Sequence, residues 1–297
     1  MRKKKQGLPD DMPELKRGAG FRAVWKRFCR NKLAVVGLVI FLVILFFAIF
    51  SGLFIPEEKA LAQNLLIRKQ GPSAEHWFGR DNYGRDIFCR ILLGAKYSLL
   101  TGIGAVCVGI FFGGILGAVA GFKGGKVDAI IMRCTDTLLC IPFMLLVLAL
   151  VAALGTSLRN VLIALMLAML PTYTRVIRSS VLTVVDSDYI EAARACGETT
   201  WQIILHHVLP NAIGPIIVQA TMTVGTMIIW AAGISFLGMG IQPPTPEWGA
   251  MLSEGKNYIF SAPHMVLFPG LAIALTAFSL NLMGDGLRDA LDPRLKD

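Results

Sequence analysis

Few residues of this chain invite a chemical reading: the glycine-rich stretch GFKGGKV at Gly121–Val127, the adjacent pair His206–His207, and six cysteines. A phosphate-binding loop needs the G-x-x-x-x-G-K-[ST] spacing, so that backbone N–H groups cradle the phosphates and a hydroxyl holds magnesium; GFKGGKV has neither the spacing nor the hydroxyl. The chain is therefore not expected to hydrolyse ATP. His206 and His207 are consecutive, hence ~100° apart on a helix, and cannot hold one metal from one face. Cys29, Cys89, Cys107, Cys134, Cys140 and Cys196 show no CxxC spacing and read as small hydrophobes rather than a disulfide frame or metal site. Scattered Ser and His residues do not rule in a nucleophilic pair. The expectation is a non-catalytic protein with no metal and no cofactor.

The stretch with the most local design is Asp186–Asn211, DSDYIEAARACGETTWQIILHHVLPN, a long polar interval between two hydrophobic runs. Asp188 precedes Glu191 by three residues and Thr199 precedes Gln202 by three, so each pair fits a capping box. Gly197 follows the first candidate helix, where a left-handed residue is easiest without a Cβ. Pro210 is expected to stop the second helix by withholding a backbone donor. The reading is helix, glycine turn, helix, then a hydrophobic span, with two short helices at a membrane surface placed to be gripped from outside the bilayer.

The elements that position this stretch follow from composition. With 55% hydrophobic residues, 16% charged residues and a mean hydropathy of +0.61, the chain is too apolar for an ordinary soluble domain, where charged residues make up about 25%. A membrane span needs roughly 20 apolar residues. Six runs qualify, near Leu33–Ile55, Tyr97–Phe122, Asp136–Leu154, Leu158–Tyr173, Ala212–Leu237 and Met265–Met283. The expected class is an all-α polytopic membrane protein with about six transmembrane helices. No cleavable signal peptide is expected, because the basic start runs directly into a full-length span. The net charge of +9 could point to nucleic acid, but the position of the charges decides otherwise. With the N-terminus inside, 20 of the 29 Lys and Arg fall on the inner side, which by the positive-inside rule puts both termini and the Asp186–Asn211 loop in the cytoplasm.

Taken in order, residues 1–32 form a basic cytoplasmic tail in which Phe21, Trp25 and Phe28 recur at helical spacing, suited to an interfacial helix or to aromatic anchoring. Residues 33–55 are the first span. Residues 56–95 are an extracytoplasmic segment in which Arg85 and Asp86 either join an ion-pair network or keep the loop solvated. Residues 96–286 form the transmembrane core, with the loop at 186–211, and residues 287–297 the cytoplasmic C-terminus. In the second span Gly109, Gly113, Gly117 and Gly121 recur every four residues, a stripe that lets a neighbouring backbone approach closely. The fourth span is expected to end at Pro171. Pro243, Pro244 and Pro246 forbid helix and mark an external turn with Trp248 as an interface anchor. No Asp, Glu, Lys, Arg or His is expected near mid-depth, which disfavours a self-powered secondary carrier, since such carriers place ionisable groups inside the membrane.

The central loop resembles the EAA loop of ABC-importer permeases: Glu191, Ala192 and Ala193, then Gly197, then Leu209–Pro210 at the family spacing. His207 stands where the general consensus has an aliphatic residue, as is usual in the peptide-importer branch. HWFGRDNYGRDIFCRILLGAKYSL, SFLGMGIQPPTPEWGAML and the closing GDGLRDALDP resemble the C-type subunits of that branch, the dipeptide/oligopeptide permeases, although Arg80 replaces a residue that is often small. The resemblance covers the chain from about Phe21 onward. It implies a type I ABC-importer permease fold in the bacterial plasma (inner) membrane. It further implies a homologous permease partner, two cytoplasmic ATPase subunits that hold the EAA loops, an extracytoplasmic solute-binding protein and a peptide substrate; no nucleic acid is implied. Glu191 would then cap its helix and make a charged contact with the ATPase, or cap alone. Ala192 and Ala193 would allow close docking, Gly197 would make the turn, and His207, Leu209 and Pro210 would complete the coupling surface. The same class includes glutathione and nickel permeases. A stand-alone carrier or channel, or a non-transporting scaffold, is the reading from other classes.

Overall fold

The computed structural model describes residues 17–291; the tail residues 1–16 and 292–297, with their share of the basic charge, lie outside the described residues. The helices are α1 Arg17–Arg30, α2 Lys32–Phe54, α3 Glu57–Leu61, α4 Ile87–Lys123, α5 Gly125–Leu139, α6 Phe143–Leu154, α7 Leu158–Leu182, α8 Asp188–Ala195, α9 Thr200–Ile203, α10 Leu209–Phe236, α11 Trp248–Gly255 and α12 His264–Leu291. Among the described residues five helical segments are long and apolar enough to span a membrane, and a sixth is reached if the bent pair α5–α6 counts as one span. The expected all-α polytopic class is the one observed.

Helix starts are set by side-chain caps that satisfy otherwise orphaned backbone donors. Asn31 accepts from the N–H of Leu33 and Ala34, Asp86 from Cys89, Ser157 from Asn160, and Glu247 from Gly249 and Ala250. Small residues then fix how the helices meet. A Cβ on Gly113 would lie 2.8 Å from the Tyr173 Cβ, one on Gly117 2.5 Å from the Thr174 carbonyl oxygen, and one on Gly121 2.9 Å from Val181. The stripe thus lies against α7, and α4 and α7 run in the same direction. Gly37 meets Ser279 and Leu282 while Ala34 meets Gly286, and Gly225 meets Ala277 while Gly284 meets Met222, so α12 runs antiparallel to both α2 and α10. This arrangement gathers α1, the start of α2, the ends of α4, α7 and α12, and the start of α10 at one end of the bundle. We call it the inner end. The segment 55–86 and α11 lie at the other.

Several spans depart from the sequence reading. α4 begins at Ile87 rather than near Tyr97 because Asp86 caps it. α7 does not end at Pro171 but continues to Leu182; proline is tolerated inside a membrane helix where neighbouring helices pack around the gap it leaves, and Pro171 is buried next to the place where Gly113 of α4 meets Leu170 and Tyr173. The third span is not one helix from Asp136 to Leu154. α5 and α6 meet at 87°, since Pro142 caps α6 and disfavours helical backbone at Ile141. Asp128, Arg133 and Asp136 all belong to α5, the first helix of that bent pair. Arg178 donates to both carboxylate oxygens of Asp128, and Arg175 pairs with Asp136.

The outer end is held by a buried ionic cluster. Arg85 and Arg90 both bond Asp81, and both also bond Glu254 of α11, at 2.7 and 2.8 Å for the latter. Arg85 therefore does not pair with Asp86, which instead caps α4 and bonds His76 at 2.7 Å. Trp248 is not an interface anchor: it is 2% exposed and its indole N–H donates to the Ile91 carbonyl. Beside it, burial pushes the Glu247 carboxyl above the usual carboxylate range, opposed by the N–H groups of Gly249 and Ala250. At the inner end α1 is helical as its aromatic spacing indicates, and Trp25 stacks on Phe28. Phe28, however, is buried with Ala34 and Ala290, so α1 is docked on the bundle.

Candidate functional site

Between α7 and α10 the chain folds into α8 and α9 at the inner end. Their apolar sides are anchored: Ile190 and Ala193 of α8, with Ile203, Ile204 and Val208, form a buried cluster with Ala118 of α4 and Ile177 and Val181 of α7. α8 is thereby packed on the two helices joined along the glycine stripe. The opposite side is open. Glu191 and Ala192 are exposed, as are Arg194 and Trp201. Because Ala193 is buried, only Ala192 of the alanine pair is available to a partner.

Of the two expected capping boxes one forms. Thr199 Oγ1 accepts from the Gln202 N–H at 3.4 Å, and Gln202 Oε1 accepts from the Thr199 N–H at 2.8 Å. At α8 the cap residue is Ser187, one position earlier than expected, and its hydroxyl donates to the Val184 carbonyl rather than capping the helix. Asp188 is thus inside the helix, and Glu191 is not engaged in a capping box. Both acids still lie in the first turn, where negative charge is favoured by the helix dipole.

Gly197 closes α8 with φ +83. Its N–H donates to Arg194 O, and the Glu198 N–H donates to Ala193 O, the paired bonds of a Schellman end that a left-handed glycine permits. The turn aims Glu198 at His207, whose Nε2 lies 3.0 Å from the carboxylate. His206 turns the other way, its Nδ1 3.1 Å from Gln202 O, so the two histidines do not converge. Among the described residues no cluster of His, Cys, Asp and Glu is arranged to hold a metal.

Pro210 does not stop the second helix. α9 passes through a wide π turn at Ile204–Val208 into α10, and Pro210 sits in the first turn of α10, where a missing N–H is tolerated. Asn211 Nδ2 donates to the His207 carbonyl at 2.6 Å. Leu209 is half-buried against the anchoring cluster. The loop and the fifth span are therefore one continuous body, Thr200–Phe236. Sequence reasoning missed Glu198, because its partner is nine residues away at no helical repeat.

Residues 109–297 match the model of the binding-protein-dependent transport system inner membrane component family, and residues 21–72 match the N-terminal transmembrane domain of oligopeptide transport permease C. The chain belongs to this permease family. The dipeptide transport system permease protein DppC of Alkalihalophilus pseudofirmus is 48% identical over 276 residues, 93% of this chain and 90% of that protein. The glutathione transport system permease protein GsiD of Pectobacterium atrosepticum is 43% identical over 276 residues, 93% of this chain and 92% of that protein. Among solved structures, a chain of the inward-facing MetNI methionine ABC transporter superposes with a TM-score of 0.56 at 19% identity, covering 68% of this permease and 97% of that chain. The fold is that of type I ABC-importer permeases, and the family is one of multi-pass bacterial membrane subunits. The α8–α9 body is the part of this permease that offers an anchored, outward-facing pair of short helices at one end of the spans.

Proposed function

We propose that the chain is the permease subunit of an ATP-driven importer of dipeptides or oligopeptides, working with a homologous permease, two cytoplasmic ATPase subunits and an extracytoplasmic binding protein. The observation that carries this reading is the 48% identity to a dipeptide permease over 93% of the chain. The distribution of Lys and Arg supports placing the inner end, with both termini, in the cytoplasm. Residues 56–95 are then extracytoplasmic, 96–286 the transmembrane core, and 287–297 a cytoplasmic end. Hydrolysis belongs to the partners.

In this reading Glu191 and Ala192 meet an ATPase groove. Gly197 sets the angle between α8 and α9, and the Glu198–His207 pair holds it. Ala193, Leu209 and Pro210 pass the motion to α7 and α10. Closure of the ATPase dimer carries α8 and α9 with it, and the anchored spans rock between inward- and outward-facing states. ATP and the loaded binding protein drive this only through their different affinities for the two states. The test is reconstitution of the whole complex with its binding protein. ATPase activity is expected to rise when that protein carries a dipeptide, and no rise with any peptide sinks the substrate assignment. A second reading, glutathione, is favoured by the 43% identity to GsiD, and stimulation by glutathione-loaded binding protein alone would select it.

A further inference from the structure

Helix α5 has two exposed faces of different chemistry. Arg133, Asp136, Thr137 and Cys140 recur at i, i+3, i+4 and i+7, which is one face of a helix. Arg133, Thr137 and Cys140 are exposed, and Asp136 is half exposed. Val127, Ile130 and Cys134 form an adjoining face that is also exposed but carries no charge. The remaining side, with Asp128 and buried Thr135, turns towards α7, where Arg178 clasps Asp128. One turn further from the inner end, Arg175 reaches Asp136; these side chains are 52% and 48% exposed.

Depth decides what such exposure means. Arg175 precedes the end of α7 at Leu182 by seven residues, about 10 Å of helix. Its neighbour Thr174 packs at Gly117 of α4, six residues or about 9 Å before Lys123. The exposed side chains of α4 near that level, Phe112 and Ile115, are apolar, as lipid requires. Charged groups level with such lipid-facing apolar side chains face a bundle interior or a water-filled cavity rather than lipid.

We propose that the polar face of α5, together with Arg175, lines the aqueous path, and that the Arg175–Asp136 pair is an exchange site for the termini of a zwitterionic peptide. The assignment rests on the peptide reading above. Asp136 accepts from the α-ammonium group while Arg175 donates to the α-carboxylate, so the pair opens without stranding either charge. When the peptide leaves, the two side chains close on each other again. A neutral solute offers no such replacement and leaves the pair shut.

The assembled complex in nanodiscs tests the face. Single-cysteine chains keep only Cys140 or only Cys134, which stand about 120° apart around α5. A charged, membrane-impermeant methanethiosulfonate is expected to label Cys140 at least ten-fold faster than Cys134, and dialanine-loaded binding protein with ATP is expected to slow that labelling. In proteoliposomes Asp136→Asn and Arg175→Gln are each expected to lower dialanine uptake at least ten-fold, in complexes that still co-purify with the ATPase. Equal labelling of the two cysteines overturns the aqueous face. Wild-type uptake by either variant overturns the exchange site. A wild-type complex that labels at Cys140 but imports no dialanine upholds the face and overturns the assignment to peptide termini.

Discussion

The two ends of the bundle use the same ions differently. At the outer end Arg85, Arg90, Asp81 and Glu254 form a cluster in which both arginines are at most 2% exposed and each bonds both acids. Towards the inner end Arg175–Asp136 and Glu198–His207 are single links with a third or more of each side chain open. A buried group whose partner is removed is left as an uncompensated charge, at a cost of about 3–5 kcal/mol, whereas an open pair is worth about 0–1 kcal/mol. The outer cluster therefore holds a fixed geometry, tying segment 81–90 to α11. Those two pairs, unlike the bidentate and less exposed Arg178–Asp128 clasp, can be broken and remade at little cost, as a moving or substrate-exchanging part requires.

The sharpest way to break this comparison is Arg90→Met. It removes a bond to Asp81 and a bond to Glu254 and leaves two acids facing Arg85 alone. The expected loss is about 3–5 kcal/mol, read as a large fall in the thermal midpoint of the detergent-solubilised subunit. A midpoint within a degree or two of wild type would mean that the cluster is not a structural tie.

Next in size is the seam along which α4 packs on α7. Gly117→Val forces a Cβ towards the Thr174 carbonyl oxygen 2.5 Å away, a backbone atom that cannot swing aside. Overpacking of this kind costs about 1–3 kcal/mol. Gly52→Ala, whose Cβ would meet nothing within 4 Å, is the matched control and is expected to be near neutral in the same denaturation assay.

Gly197→Val has a smaller effect on stability and a larger one on coupling. Its Cβ would meet nothing within 4 Å, but φ is +83, and a left-handed backbone costs a side-chain-bearing residue roughly 1–2 kcal/mol. The chain is expected to insert and to hold its ATPase partners, while ATP hydrolysis no longer drives uptake. Wild-type uptake in proteoliposomes would count against a coupling role for the α8–α9 turn.

What was legible in the chain follows the range of the interaction. Gly197 and the Thr199–Gln202 box are local grammar, and the six apolar runs need only composition. The glycine stripe announced close packing, though not that α7 would fill it. Pro171 and Pro210, read as helix ends, are both inside continuous helical segments, because the effect of a proline depends on its neighbours. Pro171 is buried inside a continuous α7, the π turn places Pro210 in a first turn, and Pro142 stands at the break between α5 and α6. The Arg85–Glu254 bond joins residues 169 apart, so no window of sequence contains it. Trp248 looked like an interfacial residue by type, but its N–H is satisfied by Ile91 in the interior.

The smallest expected effect sharpens the comparison most. Replacing Arg175 and Asp136 together by Gln and Asn removes both charges of a half-open pair, so stability should change by less than about 1 kcal/mol. The thermal midpoint should stay near wild type while dialanine uptake falls. Opposite outcomes from the two ends, stability lost at Arg90 and transport lost at Arg175, are what distinguish a fixed tie from an exchangeable one. If the double substitution instead destabilised the subunit as much as Arg90→Met, the inner pair would be a structural tie despite its exposure. The difference between the ends would then lie in position alone, not in what the ions do.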